Sequence, residues 1–265
     1  MLILLSPAKT LDVDSPSRVA APTEPVHLDQ AAALARTLKG KSAKALGELM
    51  SLSEPLAALN RRRFADWATP GTEGTRPAIE AFRGDVYAGL DVDTLDAAEL
   101  DVAQRRVRIL SGLYGILRPF DRMRPYRLEM GTRLSTRRGA SLYDFWGSRL
   151  TEALVAELDG AGDAPLVNLA SNEYFRTVDP KALPVPVVSP AFRDERNGEY
   201  KVISFFAKRA RGAMARHLVR SDEVSLEAVR RFDGLGYRHD PAASTDAVPV
   251  FLRDAADAAA ASAAA

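Results

Sequence analysis

The feature that most narrows the fold is the unbroken apolar run Leu2-Ile3-Leu4-Leu5, which stops abruptly at the polar loop Ser6-Pro7-Ala8-Lys9-Thr10. A run without polar alternation suits a strand covered on both faces, the usual state inside a parallel sheet. Helices must do the covering. Asp29 to Leu38, Ser42 to Leu49 and Ser53 to Trp67 each carry helical apolar spacing behind a capping residue. Asp96 with Glu99 reads as a capping-box start, after which Leu100, Ala103, Val107 and Leu110 form one helical stripe. Shorter helices are read at Pro77 to Phe82 and Ser225 to Phe232, and longer ones at Ser141 to Leu158 and Ala207 to Val219.

Leu166 to Ala170 and Val248 to Leu252 read as further strands. Val185 to Phe192 and Tyr200 to Phe206 are β-rich and are joined across Asn197-Gly198, the strongest short hairpin signal. Asp12 to Pro25 and Thr69 to Thr75 read as irregular loops. Strands at both ends with helices between them predict an α/β fold, a mixed sheet with surrounding helices in a single domain over residues 1–253. The Ala-rich tail, residues 254–265, is expected to be frayed or disordered.

Composition sets the limits of function. At 265 residues and 46% hydrophobic content the chain can bury a sizeable core, and its net charge of +1 excludes binding through a basic tail but not through a folded basic face. With no cysteine there is no thiolate metal site, disulfide or cysteine nucleophile. His27, His217 and His239 lack metal-ligand spacing, so no metal site and no cofactor is expected. The N-terminal run has no basic flank or cleavage motif, and no run approaches a bilayer span. A cytoplasmic protein without membrane contact is the expectation.

Charge is concentrated between Arg105 and Arg138, where ten arginines accompany only two acids, Asp121 and Glu129. Phosphate is the commonest partner for such a field. At its centre lies Ser111-Gly112-Leu113-Tyr114-Gly115, open to two readings. A helix, a Gly-x-x-Gly turn and a basic flank resemble a helix–hairpin–helix element, which offers backbone N–H groups to phosphates; alternatively, Gly112 and Gly115 serve as a helix cap and a positive-φ position. A second basic face, with Lys208, Arg209, Arg211 and Arg216, lies on the Ala207 to Val219 helix. The small residues of that helix allow a partner backbone to come close.

A different chemistry is suggested by polar groups at strand ends and glycines. Lys9 follows the first strand, where open α/β sheets place ligands. Asp85 stands beside Gly84 as a general base, a metal ligand or the ion-pair partner of Arg83. Glu129 is an acid inside the most basic stretch. Asn172 and Glu173 follow the Leu166 strand, able either to orient a ligand or to cap a helix.

Six blocks, in order, resemble the bacterial YaaA family: Ser6-Pro7-Ala8-Lys9-Thr10-Leu11, Phe82 to Tyr87, Ser111 to Pro119, Pro125 to Gly131, Asn168 to Phe175 and Ser204 to Gly212. The resemblance covers Met1 to about Leu252. It implies a protein of the peroxide stress response that limits oxidative DNA damage, is linked to lowered free iron, and binds DNA without sequence specificity through a positively charged cleft. Duplex or branched DNA would be the partner. Carried onto this chain, the hairpin falls on Gly112 and Gly115, and the cleft draws on Arg105, Arg106, Arg108, Arg118, Lys208, Arg209 and Arg211. The other function consistent with the residues is an enzyme acting on a small anionic or nucleotide ligand, with catalytic candidates Lys9, Asp85, Glu129, Asn172 and Glu173. Convergence of these five on one pocket separates the two readings.

Overall fold

In a computed structural model of the chain, which describes residues 1–68, 73–160 and 162–263, Leu2–Leu5 is the middle strand of a five-stranded sheet. Across the sheet the order is Gly115–Leu117, Val107–Ser111, Leu2–Leu5, Leu166–Asn168, Val187–Val188. Every pairing is parallel except that of Gly115–Leu117 with Val107–Ser111. Ile3 sits between Val107 and Val167 in register, and none of the four residues Leu2 to Leu5 is more than 5% exposed. Side chains buried this fully contribute about 1.5–3 kcal/mol each. The apolar run is therefore the centre of the core.

A second sheet orders Glu199–Lys201, Ala191–Arg196, Val250–Arg253 and Arg238–His239. Its hairpin turns on Asn197 and Gly198, at φ of +56° and +80°, the left-handed pair that such a turn requires. Phe192 and Phe251 from this sheet belong to the same continuous apolar core as Leu2–Leu5, so one hydrophobic interior serves both sheets. The helices Leu28–Lys39, Ala43–Met50 and Glu54–Asp66 form as expected. In the predicted capping box, the Asp96 carboxylate accepts from the Glu99 N–H at 2.8 Å and the Glu99 carboxylate from the Asp96 N–H at 2.9 Å.

Several sequence expectations are corrected. The helix starting at Ala97 stops at Arg106, and Val107–Ser111 is a fully buried strand. Burial on both faces of a parallel sheet overrides the helical spacing of Val107 and Leu110. The glycine turn therefore joins two antiparallel strands, and the segment does not form a helix–hairpin–helix element. Ser141 to Leu158 is broken into Leu142–Trp146 and Arg149–Leu158 by Gly147 at φ +51°. The β-rich run from Tyr200 yields a strand only over Glu199–Lys201, and the long basic helix begins early, at Ser204. Apart from these corrections, the Ala-rich tail, read as a frayed helix or disordered, is helical over Ala255–Ala263, where Arg238 pairs with Asp257 at 3.3 Å. Of the Thr69 to Thr75 loop, residues 69–72 lie outside the described residues.

The glycine turn is buried for a packing reason. A Cβ on Gly112 would lie 2.3 Å from the Leu128 carbonyl oxygen, and Gly115, at φ +73°, faces Trp146 and Leu150. Trp146 Nε1 donates to the Gly112 carbonyl at 3.1 Å. The turn thus clamps the strap around Leu128 on one side and the Leu142–Trp146 helix on the other. Gly112→Ala is expected to cost about 1–3 kcal/mol through forced backbone displacement. Gly40→Ala, where the nearest contact is an ordinary 3.7 Å and φ is helical, is the control. Urea midpoints measure both, and equal midpoints would contradict the clamp.

Candidate functional site

The parallel strands place a crevice. From Leu2–Leu5 the chain passes to Val107–Ser111 on one side and later to Leu166–Asn168 on the other, so consecutive connections diverge beside the first strand. Open α/β sheets bind ligands at the C-terminal edge of such a switch point. Here the Ser171 N–H donates to Ser6 Oγ at 2.9 Å, tying together the two loops that leave the adjacent strand ends. A cavity of about 590 Å³ opens beside this contact, within the usual size range for small-ligand sites. Its walls come from Ser6–Thr10, Arg83–Tyr87, Tyr126–Glu129, the stretch from Leu169 to Tyr174, and the long helix Ser204–Arg220.

That long helix reaches the cavity because two glycines let it. It crosses the short helix Asp85–Leu90 so closely that a Cβ on Gly212 would lie 1.8 Å from the Val86 carbonyl oxygen, and one on Gly89 would lie 2.0 Å from that of Arg209. Asp85 immediately precedes Val86, and Arg211 immediately precedes Gly212. The crossing therefore carries Asp85, Lys208 and Arg211 to one wall of the cavity. The partner backbone expected from the small residues of the basic helix is this neighbour within the same chain.

The charges in the cavity are of two kinds. Lys9 Nζ and Glu129 Oε1 pair at 2.6 Å, with Arg127 3.4 Å from the same oxygen, and Glu173 Oε1 accepts from the Gly131 N–H at 2.8 Å. These groups hold one another. The side chains of Asp85, Lys208 and Arg211, by contrast, make no hydrogen bond or ion pair among the described residues. Burial lowers the pKa of Arg211, an unfavourable setting for a cation without a counter-ion. Uncompensated charge in a cleft is a mark of a functional site.

Three tyrosines complete the walls: Tyr87, Tyr126 and Tyr174, each no more than 7% exposed. Burial raises the pKa of all three, so the phenols stay neutral across the physiological range. Tyr87 donates to the Ser6 carbonyl at 3.1 Å, and Tyr126 shares a 2.6 Å hydrogen bond with Ser111 Oγ. With these two hydroxyls anchored in protein, the rings form a largely apolar lining.

Of the five residues proposed for chemistry, Lys9, Asp85, Glu129 and Glu173 line the cavity; Asn172 is exposed and outside it. Asp85 is not the partner of Arg83, which binds Asp12 at 3.2 Å and Asp93 at 3.4 Å. The cationic set divides. Lys208 and Arg211 face the cavity, whereas the side chain of Arg209 has a buried Nε without a hydrogen-bond partner. Arg106 donates to the carbonyls of Leu218 and Ser221 at 2.8 and 2.6 Å, and Arg108 is buried against Glu157. Arg118 pairs at 3.1 Å with the buried Asp121, which also accepts from Thr23 Oγ1 at 2.6 Å. Arg105 is exposed, and Gly112 and Gly115 lie inside the core. Most of the arginine segment is thus committed to holding the fold. Sequence reasoning passed over Tyr87, Tyr174 and Gly89 as site-forming residues, although both tyrosines follow closely on singled-out acids, Asp85 and Glu173.

Among the described residues, no group of three or more His, Cys, Asp or Glu side chains is placed to hold a metal ion, and no helix is long and apolar enough to cross a membrane. A family profile described as peroxide stress protein YaaA matches residues 1–243. A UPF0246 protein of Ralstonia nicotianae is 51% identical over 257 residues, covering 97% of this chain and 100% of the relative. A UPF0246 protein of Burkholderia pseudomallei is 52% identical, covering 96% and 99%, and one of Bordetella pertussis is 54% identical with the same coverage.

Two measurements check the construction of the site. In Gly212→Ala the new methyl has no room against the Val86 carbonyl, so a loss of about 1–3 kcal/mol is expected, read as a lowered Tm; an unchanged Tm would contradict the crossing. The second concerns Asp12, which positions Arg83 at the rim. Burial works against its carboxylate, but hydrogen bonds from Ser15 and Arg83 and the charge of Arg76 outweigh it and hold the pKa at about 2. The ordinary value is about 3.9. Stabilisation by Asp12 is therefore full above about pH 4 and lost as the pH falls through about 2. The difference in urea midpoint between the native chain and Asp12→Asn should shrink over that window; a constant difference would refute the assignment.

Proposed function

Because the chain belongs to the family of peroxide stress protein YaaA, we propose that it serves peroxide defence by taking a small anionic ligand into this cavity and performing acid–base chemistry on it. The observation that carries the reading is the pairing of unlike groups in one space. Arg211 and Lys208 are free cations, and in the same cavity Lys9 and Glu129 form an ion pair at 2.6 Å. The cations draw in and orient the anion. The Lys9–Glu129 pair then offers a donor and an acceptor of protons within hydrogen-bond reach of the cavity, the arrangement general acid–base catalysis requires. The three neutral phenols restrict water without adding charge. A surface meant only for phosphates gains nothing from Asp85, Glu129 and Glu173, which repel them.

Sequence-independent DNA binding is the second reading. It is favoured by the exposed Arg105, Arg133 and Arg137, which make no ion pair among the described residues. Arg118 is a poor probe of it, because its loss would strand the buried Asp121. Surface arginines on phosphates would give a binding constant falling with salt by a log–log slope of about 0.9 per phosphate neutralised.

The two readings part in a strain lacking the protein and complemented with variants. Lys9→Ala and Glu129→Gln, folded by Tm, are expected to lower survival under peroxide at least tenfold while leaving duplex affinity and its salt slope unchanged. If instead Arg133→Ala with Arg137→Ala removes both protection and DNA binding, and the Lys9 and Glu129 variants protect normally, the cavity is not the working site.

A further inference from the structure

Asp85 and Arg211 are opposite charges that flank the same helix crossing, line the same cavity and do not meet. Left free, they would gain by pairing, so the gap between them suits a ligand that satisfies both. Such a ligand must present acceptors to Arg211 and Lys208 and donors to Asp85. A carboxylate cannot, since it offers no donor, and inorganic phosphate could offer only its own P–OH to Asp85 and would leave the rest of the lining unfilled. Elsewhere the lining is aromatic and apolar: the rings of Tyr126 and Tyr174, with Leu128 and Leu169, all no more than 7% exposed. With the Tyr126 oxygen engaged by Ser111, this wall asks for a flat, weakly polar group.

We propose that the cavity takes one nucleoside monophosphate unit, with its phosphate on Lys208 and Arg211, its sugar hydroxyls donating to Asp85, and its base against Tyr126 and Tyr174. In a 5′-nucleotide the sugar joins phosphate to base, and the one cavity lining offers a group for each: the cations, Asp85 and the tyrosines. The cavity volume of about 590 Å³ is ample for one such unit. Arg211 offers a planar fork suited to phosphate oxygens, and Lys208 adds a second, exposed point charge. This assignment rests on the anionic-ligand reading above and adds the class of ligand. The unit is either a free ribonucleotide or the 5′-phosphorylated end of an RNA strand, whose first sugar keeps its 2′-hydroxyl for Asp85.

Calorimetric titration of the intact protein with AMP, its 2′,3′-dideoxy analogue, ribose 5-phosphate and inorganic phosphate tests the assignment. AMP is expected to bind at least tenfold more tightly than the dideoxy analogue, ribose 5-phosphate or inorganic phosphate. Arg211→Ala should weaken AMP at least tenfold, as loss of a charged hydrogen bond does. Asp85→Asn should bring AMP and the dideoxy analogue close to equal affinity while leaving inorganic phosphate bound as before or better, a pattern that simple misfolding would not produce. Inorganic phosphate binding as tightly as AMP overturns the nucleotide assignment and leaves the anionic reading standing. Absence of binding by all four overturns both. An unchanged ratio of AMP to dideoxy analogue in Asp85→Asn removes Asp85 from the sugar. A 5′-phosphorylated RNA tetranucleotide binding more tightly than AMP assigns the unit to an RNA strand end; weaker binding assigns it to the free nucleotide.

Discussion

Contact between two helix backbones at Gly89 and Gly212 is the constraint on which the site depends. Helices with side chains at the contact stand 8–10 Å apart, and at that spacing the long basic helix would carry its cations away from the strand ends. With no Cβ at either position, the carbonyls of Val86 and Arg209 occupy the space a side chain would take. Lys208 and Arg211 then line one cavity with Asp85, at the edge of a sheet whose middle strand is fully buried. The cavity is the product of two independent rigidities, one in the sheet and one in the crossing.

A second glycine contact does related work further along the cavity. Gly112 admits the Leu128 carbonyl, and this fixes the strap that bears Tyr126 and Glu129. The most basic segment of the chain is thereby turned inward. Arg106 closes on helix-end carbonyls, Arg108 on Glu157 and Arg118 on Asp121. Charge that looks like a phosphate-binding face in one dimension becomes, in three, a set of clamps around buried acids and backbone oxygens. Breaking one clamp would leave a buried partner uncompensated, which costs far more than an exposed ion pair contributes.

Much of this was legible in the residues. The Leu2–Leu5 run announced a doubly covered strand, and Lys9, in the loop that follows it, lines the cavity at that strand's end. Lys9, Asp85, Glu129 and Glu173 were recognisable as acids and bases at turns, and four such groups do share one space. What could not be read was decided by tertiary burial. Val107 and Leu110 continue a helical stripe perfectly well, and only the adjacent strand makes them β. Gly212 signalled a close neighbour, but nothing local named Gly89 as its counterpart across more than a hundred residues of chain. The tyrosine wall was hidden for a similar reason: a buried tyrosine reads as core until the cavity beside it is known.

The account turns on whether the free charges at the crossing hold a ligand between them. A crystal structure of the protein grown with AMP is the most direct measurement. The account predicts ordered density in the cavity, with phosphate oxygens at hydrogen-bond distance from the Arg211 guanidinium and a sugar hydroxyl at the Asp85 carboxylate. Arg211 closed directly onto Asp85, with nucleotide bound only at the exposed Arg133 and Arg137, would contradict it.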